Sequence, residues 1–352
     1  MAFSIVYSCV IYITNTKEFY HIYIYYAIHF GKVYNHFICN MKIFFVFLCK
    51  IWYSIFWVYM KYGKRSLYSE EGLHMSRKEY KRVIIKIGSS SLTYEKTGSI
   101  NFAKMERLVR VLCDIRNRGM DVCLVSSGAI AVGKDSIGLK ERPTDISVKQ
   151  ACAAIGQARL MMTYQKLFGE YNQITGQVLM TKDTMVNPIS RENAQNTFEE
   201  LFRIGAIPVV NENDTVSTYE MRFGDNDTLS ALVAALVGAD LLVLLSDIDG
   251  FYTDDPHNNP EAELICDVYE IGEDILHMAK GSSGSNVGTG GMATKLAAAQ
   301  IATYSGADMV ITNGDNVSVV EELLDGKKIG TCFHANPNEA FKLENYIMES
   351  MN

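Results

Sequence analysis

The chain has 352 residues, 48% of them hydrophobic, and a formal net charge of −7. Residues 1–74 carry seven Lys/Arg and three Asp/Glu, which leaves 26 basic and 37 acidic residues in the body. That length allows one large α/β domain or two smaller ones, and an acidic body argues against nucleic acid as the main partner.

The first 60 residues hold 19 of the 38 aromatic residues, both tryptophans and no proline. Residues 41–60 approach the length of a membrane span, but Lys50 at their middle costs a few kcal/mol of insertion energy, about 3. No small-residue cleavage site follows, so a signal peptide is a poor match. We expect 1–74 to be a non-native start or a disordered extension. A membrane anchor is the alternative, and a folded accessory element a third reading. Met75 opens M-S-R-K-E-Y-K-R-V-I-I-K-I-G, a natural start for a soluble α/β domain. The eight cysteines show no C-x-x-C and no Cys/His cluster. Cys113, Cys123 and Cys152 lie in apolar patterns and read as buried thiols, which fits a reducing cytoplasm.

In chain order, residues 83–87 predict a strand and 88–91 a Gly-Ser loop behind it. Residues 103–118 have helical periodicity, with Met105, Leu108, Val109, Val111, Leu112 and Ile115 on the apolar side. A second strand, 121–125, runs into Ser126-Ser127-Gly128 and a small-residue helix. A long helix over 148–168, a strand over 177–181, a helix over 191–203 and a strand over 207–210 follow. Next come a helix over 227–237 and a strand over 241–245. A Gly/Ser loop at 281–291 opens a helix over 292–305, and a strand at 309–312 and a helix at 317–324 complete the pattern. Strand–helix alternation with short links predicts a three-layer αβα sandwich on a mainly parallel sheet. Nothing divides residues 82–334, so we expect one domain over 75–335 and a short tail over 336–352.

Four motifs stand where such a sheet binds ligands, at strand ends and helix starts. Lys86, followed by Gly88 and hydroxyls, suits a phosphate; alone it reads equally as an edge lysine. Ser126-Ser127-Gly128 offers backbone amides to an anion, or is a simple helix cap. No G-x-S-x-G supports a nucleophilic serine. The loop ending in Thr289, Gly290, Gly291, Met292, Ala293, Thr294 and Lys295 suits a phosphate cover or a flexible linker, and it is not a Walker A loop. Asn211, Asn213, Asp214, Asp225, Asn226, Asp227, Ser246 and Asp247 cluster between residues 206 and 256, and any one alone reads as a solvated loop residue. Carboxylates at a helix start suit an ammonium group, a lysine partner or a metal-bound phosphate.

Together, V-I-I-K-I-G-S-S-S-L, V-S-S-G-A-I-A-V-G, P-V-V-N-E-N-D, F-G-D-N-D-T-L-S-A-L-V-A, L-L-S-D-I-D-G-F-Y-T-D-D-P and V-G-T-G-G-M-A-T-K resemble the amino acid kinase family over residues 82–334. The likeness is closest to its glutamate-phosphorylating members. It implies ATP with Mg²⁺ and transfer of the γ-phosphoryl group to the side-chain carboxylate of L-glutamate, the first step of proline synthesis. By motif, Lys86 and Lys295 would flank the phosphoryl group and Asp227 would hold them. Ser127, Asp214, Asp225 and Asn226 would line the glutamate pocket, with Asp225 reaching Mg²⁺ through water. Ser246, Asp247 and the loop from Thr289 to Lys295 would contact ATP, as would Lys86. The resemblance also implies a homo-oligomer and proline as feedback inhibitor. Many bacterial members continue into a PUA domain, whereas here only residues 335–352 follow. Members acting on acetylglutamate, aspartate or UMP, and a catalytically silent homologue, are the alternatives.

Overall fold

The computed structural model describes residues 78–94, 97–217, 225–256, 258–281 and 291–349. The 41–60 segment, Thr289 and Gly290 lie outside them. Among the described residues, no helix is long and apolar enough to cross a membrane.

The strands are β1 Arg82–Ile87, β2 Asp121–Ser126, β3 Thr175–Met180, β4 Ile207–Glu212, β5 Leu241–Ser246, β6 Phe251–Tyr252, β7 Leu264–Ile265, β8 Asp267–Val268, β9 Asp308–Asn313 and β10 Thr331–Phe333. The helices are α1 Ser89–Leu92, α2 Phe102–Asn117, α3 Ala129–Ser136, α4 Ile146–Glu170, α5 Lys182–Val186, α6 Pro188–Arg203, α7 Asn226–Val237, α8 Glu273–Gly281, α9 Met292–Tyr304, α10 Val319–Leu324 and α11 Leu343–Glu349. Eight strands form one sheet in the order β3-β4-β2-β1-β5-β9-β10-β8, and β6 and β7 pair separately. Every pair in the large sheet is parallel except β9–β10. The αβα expectation therefore holds, with one antiparallel return near the edge.

The apolar runs in β1 and β5 are continuous because both faces of the sheet are covered. Side chains of a strand alternate between faces. Ile84 therefore joins Leu229, Leu232, Leu296 and Ala299 of α7 and α9. Val83, Ile85 and Ile87 join Leu108, Leu112, Leu160 and Tyr164 of α2 and α4 on the other face. Each fully buried Leu or Ile contributes roughly 1.5–3 kcal/mol.

Polar caps set the helix starts. Asn101 caps α2, Asp145 caps α4 and Asn187 caps α6, where Pro188 occupies a first-turn position. Helices α3 and α4 meet through glycines. A Cβ on Gly156 would fall 1.8 Å from the Ala129 carbonyl oxygen, and one on Gly133 would fall 1.8 Å from that of Cys152. The C-terminal residues fold back. Ile347 is buried, Phe341 packs edge-on against Tyr304 at 5.6 Å, and Arg191 pairs with Glu344 at 2.6 Å. Cys113, Cys123 and Cys152 are buried free thiols, as their apolar settings suggested.

Candidate active site

Chain order around β1 explains where the site forms. The chain adds β2, β3 and β4 on one side of β1, then β5 and β9 on the other. The carboxyl ends of the strands at such a switch point open into a crevice. Lys86 lies there, in register with Val125 of β2 and Leu244 of β5.

Lys86 shares its face of β1 with Ile84, the face covered by α7 and α9. That parity brings three groups together. Lys86 Nζ lies 2.6 Å from Asp227 Oδ1, and Lys295 Nζ donates to Asp227 Oδ2 at 3.0 Å. All three side chains are buried, Asp227 to 1% exposure. Burial pushes the Asp227 carboxyl up, but the Lys86 and Lys295 charges outweigh it and hold the group below the usual carboxylate range. Asp227 also sits in the first turn of α7, where the helix dipole favours its charge. One carboxylate thus holds two ammonium groups, and the trio sums to one positive charge.

The other half of the crevice is a chain of neutral side chains. Gly128 adopts φ 109°, a left-handed conformation that glycine takes without steric cost, and starts α3 there. The Ser127 N–H donates to the Ile87 carbonyl at 3.1 Å, which anchors the turn to β1. Ser127 Oγ accepts from Asn226 Nδ2 at 2.6 Å, and the same nitrogen donates to Asn211 Oδ1 at 2.9 Å. Asn211 Nδ2 donates in turn to Gln157 Oε1 of α4 at 2.9 Å. Beneath Ser127, Ser126 Oγ and the Tyr164 hydroxyl share a buried hydrogen bond of 2.9 Å. Asp225 caps α7 by accepting from the Thr228 N–H at 2.9 Å. Its Oδ2 is buried and has no hydrogen-bond partner among the described residues. Burial, with a smaller push from Asp225, raises the Tyr346 phenol, so α11 reaches the same neighbourhood. Asp214 is half-buried in the turn after β4.

On the far side of β1, Ser246 ends β5 and donates to Asp247 Oδ1 at 3.0 Å. Among the described residues no side chain caps α9 at Gly291; the Thr294 N–H donates to the Gly291 carbonyl at 3.1 Å, and the Met292 and Ala293 N–H groups open the first turn of the helix. Met292, Ala293 and Thr294 form that first turn, and Thr294 Oγ1 donates back to the Gly291 carbonyl at 2.7 Å. Among the described residues, no cluster of three or more His, Cys, Asp or Glu is arranged to hold a metal ion.

Thus Lys86, Asp227 and Lys295 converge, Ser127 and Asn226 touch, and Ser246 and Asp247 pair. Beyond the expected residues, the site draws in Asn211, Gln157 and Tyr164. A signal existed for Asn211, since it follows Val209 and Val210 at a strand end. Gln157 and Tyr164 lie seven residues apart on α4, two helical turns, where a buried polar pair could have been sought.

Comparison with known proteins decides the lineage. The sequence profile described as "Amino acid kinase family" matches residues 81–313. The chain belongs to the amino acid kinase family. It is 49% identical over 266 residues to the glutamate 5-kinase of Clostridium perfringens (strain 13 / Type A), covering 74% of this chain and 98% of that one. With the glutamate 5-kinase of Carboxydothermus hydrogenoformans the identity is 51% over 265 residues, covering 75% and 71%. Among solved structures, UMP kinase from Ureaplasma parvum superposes with a TM-score of 0.52 at 17% identity, covering 73% of this chain and 99% of that chain. The T. acidophilum isopentenyl phosphate kinase product complex gives 0.50 at 19%, covering 72% and 100%. These two likenesses speak for the fold alone.

Proposed function

We propose that the protein is an enzyme that transfers the γ-phosphoryl group of ATP to the side-chain carboxylate of L-glutamate, giving L-glutamyl 5-phosphate. The observation that carries this reading is the buried Lys86–Asp227–Lys295 cluster, in a chain about half identical to glutamate 5-kinases. The step would be the first of proline biosynthesis, and proline would act as feedback inhibitor.

Phosphoryl transfer depends mostly on positioning and charge neutralisation. In this reading Lys86 and Lys295 meet the charge on the moving phosphoryl group, and Asp227 keeps both ammonium groups aimed. Ser127, Asp214, Asp225 and Asn226 bind glutamate. Lys86, Ser246, Asp247 and the stretch Thr289, Gly290, Gly291, Met292, Ala293, Thr294, Lys295 bind ATP. The unpartnered buried Oδ2 of Asp225 fits a hydrated cation. Mg²⁺ keeps several waters and leans on phosphate oxygens, so Asp225 through water, with the nucleotide, would hold it. Bound there, it would neutralise phosphate charge.

ATP- and glutamate-dependent hydroxamate formation is the test. Acetylglutamate, aspartate and UMP serve as competing acceptors, and turnover of one of these without glutamate turnover would overturn the reading. We further propose a homo-oligomer working in the cytoplasm. Val148, Ala151, Ile155, Ala158 and Met162 are exposed at alternating three- and four-residue spacings on α4, so a second apolar face lies opposite its buried one. Light scattering that returns a monomer would contradict this.

A further inference from the structure

The chain of side-chain amides has a direction. In the structure Gln157 faces Asn211 with its oxygen, and Asn211 faces Gln157 with nitrogen and Asn226 with oxygen. Asn226 then spends its amide nitrogen on Asn211 and on Ser127 Oγ. An amide has two N–H protons and one acceptor oxygen. With both protons used, Asn226 has only its Oδ1 to offer an incoming group. Ser127 Oγ accepts from Asn226 and so keeps its own proton to donate. The pair therefore presents one acceptor and one donor, which matches the ammonium and the carboxylate of an amino acid.

Gln157 is two amides removed from Ser127, and it is buried. Its backbone is held because the neighbouring Gly156 packs directly on the Ala129 carbonyl of α3. Asn211 points toward α4 for the same parity reason that groups Ile207 and Val209 with Leu160 and Tyr164 on that face.

We propose that Gln157 is a positioning residue that fixes the polarity of the Ser127–Asn226 pair, and through it the enzyme's preference for a substrate bearing an ammonium group. Without an acceptor at position 157, Asn211 is free to turn over and offer nitrogen to Asn226. Asn226 must then turn its oxygen toward Asn211 and its nitrogen toward the pocket, where it opposes an ammonium. This inference rests on the glutamate reading above.

The test compares L-glutamate with glutarate, which keeps both carboxylates and lacks the ammonium group, in the hydroxamate assay. Gln157→Met preserves length and removes the acceptor, whereas Gln157→Glu preserves an acceptor in either protonation state. The expected result is a fall of about tenfold in the glutamate-to-glutarate ratio of kcat/KM for Gln157→Met, the size of one lost hydrogen bond to a charged group. Gln157→Glu should keep the ratio near wild type, and the KM for ATP should not move in either. Adding Asn211→Asp to Gln157→Met should restore the ratio, because a carboxylate at 211 can only accept from Asn226. If Gln157→Met does not fold, Gln157→Leu, which also removes the acceptor, takes its place, and an unchanged ratio there would overturn the inference. An unchanged ratio in Gln157→Met, or an equal fall in Gln157→Met and Gln157→Glu, would overturn the inference alone. Absence of any glutamate-dependent product from wild type would overturn the functional reading as well.

Discussion

Lys86, Lys295 and Asp227 meet as full charges, whereas Ser127, Asn226, Asn211 and Gln157 meet as neutral dipoles. Both groups stand at the carboxyl end of the sheet; the ionic three are buried, as are Asn211 and Gln157, while Ser127 and Asn226 are partly exposed. Full charges attract over several ångströms and tolerate small shifts in geometry. Amide dipoles discriminate by direction, because a turned amide exchanges a donor for an acceptor. The ionic half therefore suits a step in which charge moves, and the amide half suits recognition. Disrupting the first should cost turnover and stability; disrupting the second should cost selectivity and affinity.

The largest expected effect follows loss of the shared carboxylate. Asp227→Ala removes the carboxylate that two buried lysines share, and chemical denaturation should register about 3–5 kcal/mol of lost stability, with activity abolished. Lys86→Ala and Lys295→Ala remove one charge each, and turnover should fall by about 10²–10³-fold while the KM for glutamate moves little. Initial-rate kinetics over both substrates would separate the two parameters.

Packing between the halves gives a smaller effect. Gly156→Ala sets a methyl against the Ala129 carbonyl, and a thermal melt should show destabilisation of about 1–3 kcal/mol. Because Gln157 is adjacent, glutamate affinity should fall with it.

A pH series sharpens the ionic half further. The folded Asp227 carboxyl lies below its unfolded value, so its contribution is fully present above the unfolded pKa, about 3.9. It is lost as pH falls through the folded value. The stability gap between wild type and Asp227→Asn should stay level at neutral and mildly acidic pH and close only in strong acid. A gap that closes near neutrality would contradict the assignment. The smallest effect belongs to the surface: Glu344→Ala breaks a half-exposed pair with Arg191 and should cost no more than about 1 kcal/mol.

The parallel sheet was legible because β1, β2, β4 and β5 are short, mostly apolar runs separated by helical periodicity. β6, β7, β8 and β10 were not, since two or three residues carry no period. The return of β10 beside β9 depends on contacts far apart in sequence. Lys86, Asp227 and Lys295 were readable as residues at strand ends and helix starts. Their convergence on one carboxylate was implied by family resemblance, and the sheet's alternation supplies its physical cause. Gln157 shares the helical face of Ala153, Leu160 and Tyr164, so its inward position was readable from period, but its partner Asn211 lies 54 residues away and no local pattern announces that contact.

The most direct test sets Lys295→Ala beside Ser127→Ala and measures kcat and KM for L-glutamate in each. The account predicts that Lys295→Ala loses kcat by about 10²-fold or more with KM close to wild type. Ser127→Ala should raise KM by about tenfold with kcat largely kept. The reverse pattern, or equal losses of both parameters in both variants, would contradict the division of the site into a charge-moving half and a recognition half.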